Sequence, residues 1–567
     1  MRFNFWLALL IHGTGLCLVL GWWGARGLAF SLVGPPNQTQ SAAAAPTLLP
    51  CVSYSPFRHA DINPFNPDSM VIPAQIEADL RVLLAYTRCV RTYGLSQGLD
   101  AVPAVAAKLG MRVKLGVWLA RDVAQNQIEV DRGIALARQY PGVVDLLVVG
   151  NEVLLRRELT AAALGKVLDY ARQHSTVPVT YADVWEFWLR NATLARHVDS
   201  VTVHILPFWE DDPVVVDQAV AHVVSIASKM KQTFAGQAVW VGETGWPAAG
   251  RQRAGAVPGR VEQSRFFTDL VRLAGPAGLG AGALDYNVIE AFDQPWKRAF
   301  EGAMGGYWGL FDQFGQARVA FAGDVVEDAR WWRGWLGALA GALLGALFGA
   351  LFFARFGVGF CERSGVLCGE RWGVRSGVQA APAILVAATL GAVLPVQWLM
   401  SQQWDRTLWE QSQSVLLTLI GAAAALATLH HQFSKIERVT RIALLFAAST
   451  AALVLLLDSR YRPFPWWWFL APTVALLAAR FSRFESSFHD GFEAARQRSA
   501  EERLLAAILA GCAAGIALAE GWRNAQALSY CAVLLVLAGT CGLPTPARWR
   551  TNTSTASSAA GAPSSVV

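Results

Sequence analysis

The chain has 567 residues, 54% of them hydrophobic and only 16% charged, with a formal net charge of +6. That length exceeds one ordinary domain, and so apolar a composition excludes a wholly water-soluble protein. The positive charge comes largely from arginines between apolar spans, which reports membrane orientation. No basic stripe interleaved with aromatics points to nucleic acid.

The first predicted element is an apolar segment from Phe3 to about Trp23, preceded by Arg2 and long enough to span a bilayer. Its length and its bulky Trp22-Trp23 end predict an uncleaved signal anchor within residues 1–30. The small residues of Ser41 to Ala45 leave cleavage as the alternative. Residues 31–48, rich in Pro, Gln, Ser and Ala, predict a linker.

Residues 49–325 read as strands and helices in turn. Predicted strands are Cys51–Ser55, Cys89–Tyr93, Arg112–Trp118, Leu146–Asn151, Val177–Ala182, Ser200–Ile205, Ala238–Glu243 and Ala283–Val288, with helical patterns such as Ile76–Thr87 and Arg132–Gln139 between them. The pattern predicts an α/β fold, a closed parallel (β/α)8 TIM barrel. Two of its apolar, β-branched runs end in glutamate: Val148-Val149-Gly150-Asn151-Glu152 and Trp240-Val241-Gly242-Glu243. A run of that kind is a strand buried on both faces, and its carboxyl end opens at the barrel mouth where catalytic groups sit. Glu152 then ends strand four and Glu243 strand seven. Two carboxylates so placed suit glycoside cleavage, one protonating the leaving oxygen while the other attacks or activates water.

Eight cysteines are scattered without a Cys-x-x-Cys pair or a histidine cluster, so no metal and no other cofactor is expected. Cys51 and Cys89 fall on neighbouring predicted strands. They could pair outside the cytoplasm, but two buried thiols are the favoured expectation.

Residues 331–544 hold seven apolar spans, roughly 332–354, 379–400, 414–430, 442–458, 465–479, 504–520 and 526–543. They predict an all-α polytopic transmembrane bundle rich in Ala, Leu and Gly, with Trp466, Trp467 and Trp468 as an interfacial aromatic cluster. Residues 545–567 predict a disordered tail. With the amino terminus inside, arginine-rich segments 355–378, 431–441 and 480–503 fall in the cytoplasm. The outer loops carry fewer, Arg406, Arg460, Arg462 and Arg523, so the barrel is expected outside.

Four tracts together resemble glycoside hydrolase family 17: Cys51-Val52-Ser53-Tyr54-Ser55-Pro56-Phe57-Arg58, Gly150-Asn151-Glu152, Gly242-Glu243-Thr244-Gly245-Trp246-Pro247, and Tyr307-Trp308-Gly309-Leu310-Phe311. More closely, the chain is similar to bacterial membrane-bound members, endo-1,3-β-glucanases or β-glucan transglucosylases, over about residues 49 to 320. The resemblance implies Glu152 as acid/base, Glu243 as nucleophile and Asn151 as the residue that binds the sugar 2-hydroxyl. It also implies Lys297 near the active site, with Glu301 beyond it. Glu152 has to hold a proton near neutrality, while Glu243 has to stay ionised. From the residues themselves, Tyr54, Tyr93, Trp118, Trp209, Trp246 and Trp308 could stack on sugar rings, although each is as readily a core aromatic. His204 could steady the nucleophile and Asp183 could bind a hydroxyl. Leu206 stands where plant-like members carry a tyrosine, and Gln294 replaces an acidic residue.

The expected function is a retaining endo-1,3-β-glucanase acting in the periplasm, multi-pass in a bacterial inner (cell) membrane. Its expected partners are β-1,3-glucan and the lipid bilayer. The alternatives are a β-1,3/β-1,6-glucan transglucosylase (elongating, branching or cyclising), and a glucan transport or assembly component with an accessory barrel.

Overall fold

The computed structural model describes residues 2–34, 48–59, 62–274, 284–364, 371–429, 433–457, 460–483 and 499–542. Most of the predicted linker, the predicted tail, and Cys368 lie outside the described residues.

Eight parallel strands close into a barrel in chain order: β1 (Cys51–Ser53), β2 (Cys89–Arg91), β3 (Arg112–Val117), β4 (Val144–Asn151), β5 (Val179–Val184), β6 (Ser200–His204), β7 (Ala238–Thr244) and β8 (Tyr286–Val288). These are the eight runs read from the sequence, and the fold is the expected TIM barrel. The strands are apolar throughout because helices cover their outer faces, as in Pro73–Leu83, whose Ile76, Leu80 and Leu83 are buried. Asp122 and Thr160 accept hydrogen bonds from the free amides at two helix starts, which fixes where those helices begin.

Strand register shifts in four pairs, three of them near the carboxyl ends. It shifts between Val148 and Asn151 (β4–β5), Val203 and His204 (β6–β7), and Val241 and Thr244 (β7–β8). The fourth shift, at Val113/Lys114 in β3–β4, lies at the opposite end. A bulge re-aims the side chains that follow it, so three of the four lie where Glu152, His204 and Glu243 must turn inward.

One expectation is corrected. Cys51 and Cys89 form a disulfide, their Cα atoms 4.5 Å apart. The pairing of Val52 with Val90 sets the two cysteines side by side at the starts of β1 and β2, within the separation a disulfide needs.

The helical region begins where the barrel ends. A two-stranded antiparallel ribbon, Ala29–Leu32 with Gly323–Val326, joins the chain leaving the first helix (Arg2–Arg26) to the chain entering the next. Helices follow over Trp332–Ser364, Arg371–Trp404, Leu408–Ala427, Ser434–Leu457, Trp466–Arg483, Ala500–Glu520 and Ala525–Gly542. Among the described residues, five helices are long and apolar enough to cross a membrane: Phe5–Arg26, Trp332–Leu351, Ala381–Trp404, Ser434–Leu457 and Ala500–Glu520. Leu343, Leu347 and Leu351 are exposed at i, i+4 spacing, a face suited to lipid.

Small residues set the closest packing. A Cβ on Gly337 would lie 2.1 Å from the Gly391 carbonyl, and one on Gly341 equally close to that of Ala387. Such close backbones are what van der Waals association in lipid requires. The first helix is part of this bundle. Its buried Trp23 donates to the Ala392 carbonyl at 3.1 Å, and Trp22 meets Trp466 edge-on at 5.6 Å. Of the three consecutive tryptophans at the start of Trp466–Arg483, Trp467 is buried within the bundle.

The barrel sits on the bundle through its carboxyl-end loops. After β7, Arg251 pairs with Glu520, and Gln252 bonds Gln526, Arg523 and Asn524. After β8, Arg298 donates to the Gln402 carbonyl at 2.8 Å. After β6, Arg460 lies 3.6 Å from Asp211. The helix end at 402–404 and the connections 405–407, 460–465 and 521–524 therefore lie with the barrel mouth. Arg406, Arg460 and Arg523, on the predicted outer side, are among the residues that meet it: Arg406 donates to the Ala299 carbonyl and the Arg523 side chain lies against Gly255.

Candidate active site

At the mouth, Glu243 and Glu152 face each other with His204 between them. One carboxylate oxygen of each and a ring nitrogen of His204 lie within 4.8 Å of one another. His204 Nδ1 is 3.0 Å from Glu152 Oε1, and its Nε2 is 3.7 Å from Glu243 Oε1. The local backbone shapes the approach. Gly150 (φ 88°) and Glu152 (φ 52°) both take left-handed conformations, and the Glu152 amide donates to the Ala182 carbonyl at 2.7 Å. Such a φ is costly for a non-glycine residue and is typical of sites where function over-determines the backbone. Arg156 braces the turn from below, donating to the Asn151 and Leu119 carbonyls.

The two carboxylates sit in unlike surroundings. The Glu152 side chain is 24% exposed and that of Glu243 7%. Glu243 Oε1 accepts from Arg91 Nη1 at 2.6 Å and from the Tyr93 hydroxyl at 2.9 Å. Burial alone would push the Glu243 carboxyl up, but the charges of His204, Arg91 and Lys297 outweigh it and hold it below the usual carboxylate range. Arg91 also donates to Asn151 Oδ1, so one fully buried guanidinium orients the residue before Glu152 as well as Glu243. Lys297 completes the positive side. Its ammonium pairs with buried Glu290, and the charges of Glu290 and Glu301 hold its proton firmly against burial. Burial pushes the Glu290 carboxyl up to about 8 even with Lys297 beside it. Asp183, below Glu152, is pushed up to about 6 mainly by burial, with Glu152's charge adding to the effect, and accepts from the Tyr181 hydroxyl.

The triad Glu152, His204 and Glu243 has the donor set of a divalent cation site, but Arg91 already supplies Glu243 with a counter-charge at 2.6 Å. The chemistry favours a carboxylate pair that works without a metal.

Asn151, Glu152, Tyr93, His204, Glu243 and Lys297 are thus brought together. Three other candidates are not. Tyr54 is 0% exposed and donates to Asp79 on the helix outside β1, because Ser53 before it points into the barrel and the strand alternates. Trp246 is 0% exposed, wedged between Phe208 and Phe266. Trp308 is buried against Phe208. None of the three offers a ring face to a sugar. Trp118 is exposed but covered on one face by Arg156, 4.0 Å from its centroid. Gln294 is buried and bonded to the Ser55 backbone, a pin for the loop after β8. Arg91 was not among the sequence candidates. Its signal is a cation two residues before Tyr93 in an apolar strand, hence on the same face.

Residues 51–309 match the family of the BtgE/BtgC glycoside hydrolase domain. A glucan 1,3-β-glucosidase of Arthroderma benhamiae is 29% identical over 261 residues, which cover 42% of this chain and 81% of that protein. A probable β-glucosidase of Emericella nidulans is 30% identical over 241 residues, 40% of this chain and 41% of its own. Among solved structures, an active-site mutant of a Rhizomucor miehei β-1,3-glucanosyltransferase in complex with laminaritriose aligns at 22% identity and a TM-score of 0.42, covering 49% of this chain and 98% of that one. The barrel is similar to glycoside hydrolase domains of the BtgE/BtgC type, and the chain is an enzyme of the glycosidase or transglycosylase class.

Proposed function

We propose that the chain is a retaining β-1,3-glucan-active enzyme working by double displacement, with Glu243 as nucleophile and Glu152 as acid/base. The observation that carries this is the approach of the two carboxylates to within 4.8 Å, Glu243 buried against Arg91 and Tyr93 and Glu152 the more exposed. That separation suits a retaining route and is too short for the water an inverting enzyme places between its carboxylates. The name of the Arthroderma relative, a glucan 1,3-β-glucosidase, supports a β-1,3-glucan substrate.

In the first step Glu243 attacks the anomeric carbon while Glu152 gives its proton to the glycosidic oxygen, releasing the aglycone and leaving a glucosyl ester on Glu243. Arg91 and Tyr93 hold Glu243 ionised and aimed before that attack. Asn151, oriented by Arg91, meets the 2-hydroxyl of the reacting sugar. In the second step Glu152, now a carboxylate, takes a proton from water or a sugar hydroxyl, whose oxygen displaces Glu243. Water gives hydrolysis. A bound glucan gives elongation, branching or cyclisation, and the occupancy of the acceptor side decides between them.

We further infer that the enzyme is multi-pass in a bacterial inner membrane with its barrel in the periplasm. The Cys51–Cys89 disulfide belongs to an oxidising compartment, and the arginine distribution gives the same orientation. Burial of Trp23 in the bundle supports an uncleaved first helix. The purified full-length protein, incubated with reduced laminari-oligosaccharides, tests the function. Longer products mean transfer, shorter ones alone mean hydrolysis, and unchanged substrate sinks both. Unchanged substrate with intact binding would instead favour a glucan-handling component with an accessory barrel.

A further inference from the structure

Exposed apolar side chains gather at one end of the barrel. Among its described residues, seven large apolar side chains are more than half exposed. Six of them, Phe65, Met70, Ile72, Val123, Phe300 and Phe314, lie in segments that leave the carboxyl ends of β1, β3 and β8. The seventh, Ile128, is in the second turn of helix Val123–Gln139. An exposed apolar residue on its own is ordinary, but a contiguous cluster marks a contact surface. Phe65 is 63% exposed and Phe300 58%, and their rings meet at 5.0 Å. Trp296 closes on both, at 5.4 Å and 6.4 Å.

The position of this cluster on the bundle points to its partner. Arg406 donates to the Ala299 carbonyl and Arg298 to that of Gln402. Phe300 therefore stands beside the end of the apolar span Ala381–Trp404. Leu408 and Trp409, which open the next helix, are exposed as well and continue the apolar surface away from the barrel. The β6 side of the rim is different, because Tyr461, Arg253 and Arg460 pack on Trp209 and cover it. A span end marks the headgroup layer, where aromatic rings are favoured. An apolar surface that dips into that layer is stabilised by burial at the acyl boundary.

We propose that the barrel rim on its β1 and β8 side rests in the bilayer's headgroup layer through Phe65, Phe300 and Trp296, so that the cleft opens beside the lipid surface. This rests on reading the helical region as membrane-spanning. Lys297 directly follows Trp296 in the turn Pro295–Lys297, so the lipid contact steadies the segment that carries this cation into the site.

The test places the photoreactive residue p-benzoyl-phenylalanine, one position at a time, in full-length protein in nanodiscs of phosphatidylethanolamine and phosphatidylglycerol. The probed positions are Phe65 and Phe300. Leu347, exposed within the span Trp332–Leu351, is the positive control. Val82, exposed in the last turn of Pro73–Leu83 at the end of the barrel away from the mouth, is the negative one. After irradiation, mass spectrometry reads phospholipid adducts at each position. The inference expects adducts at Leu347 and at Phe65 or Phe300, and none at Val82. Adducts at Leu347 with none at Phe65 and Phe300 overturn the inference and leave the membrane reading standing. Lipid capture at Val82 equal to that at Phe65 and Phe300 overturns it too, as does capture of a peptide or of added laminari-oligosaccharide there in place of lipid. No adduct at any position, Leu347 included, overturns the membrane reading and the inference with it.

Discussion

Arg91 is the residue whose removal tests the electrostatics of the site most sharply. It is fully buried, grips Glu243 at 2.6 Å and reaches Asn151 with its other nitrogen. Arg91→Met keeps much of the side-chain length and removes the charge and both hydrogen bonds. A hydrogen bond to a charged group contributes about 1.5–3 kcal/mol, and about 1.4 kcal/mol corresponds to one pH unit. The proton affinity of Glu243 should therefore rise by about one to two units. The sign follows from the native state: Glu243 is held below its ordinary range, so its ionised form is lost only as pH falls through that lowered value. Without Arg91 it is lost earlier, and the acidic limb of kcat/KM moves up by about one to two pH units. Arg91→Lys, which keeps a charge without the fork, should move the limb less. The assay is kcat/KM on a laminari-oligosaccharide across the acid range, with thermal melting to confirm folding. A folded Arg91→Met protein with the wild-type acidic limb and only a uniform loss of rate would refute the reasoning.

Replacing both Cys51 and Cys89 by alanine should cost the barrel about 4 kcal/mol, from the chain entropy of a loop spanning 38 positions. Denaturant unfolding of oxidised and substituted protein checks this, and equal midpoints would contradict it. Gly337→Val should lower the thermal midpoint in detergent or abolish folded yield, because its side chain meets the Gly391 backbone. Gly13→Val, with nothing within 4 Å, is the matched control and should be neutral. Glu152→Ala should lose at least about a thousandfold in rate on poor leaving groups, and on a donor whose good leaving group departs without protonation added azide should restore turnover as the β-glucosyl azide. An α-configured azide product would exclude the double displacement.

The strands were legible because β4 and β7 are unbroken β-branched runs, and their terminal glutamates marked the mouth. What was misplaced followed from facing. Tyr54 follows Ser53, whose hydroxyl meets Asn287 inside the barrel, so two-residue alternation turns the tyrosine outward. Trp246 lies beyond the strand, where alternation no longer governs, and apolar neighbours took it in. Arg91 was passed over because a charge in an apolar strand reads as an exception. Its partners lie on β4 and β7, distant in sequence. The disulfide needed strand register, which composition does not carry. The docking of the barrel mouth onto the bundle rests on polar loop residues such as Gln252 and Asn524, which resemble any solvated turn until coordinates bring them together.

The most direct test of the central claim is to trap the ester. Full-length protein would be treated with a 2-deoxy-2-fluoro-laminaribiosyl donor carrying a good leaving group, digested, and analysed by mass spectrometry. The account predicts one fluoroglycosyl adduct, on the peptide containing Glu243. An adduct on another carboxylate, or turnover of the natural substrate to the inverted anomer with no adduct, would contradict it.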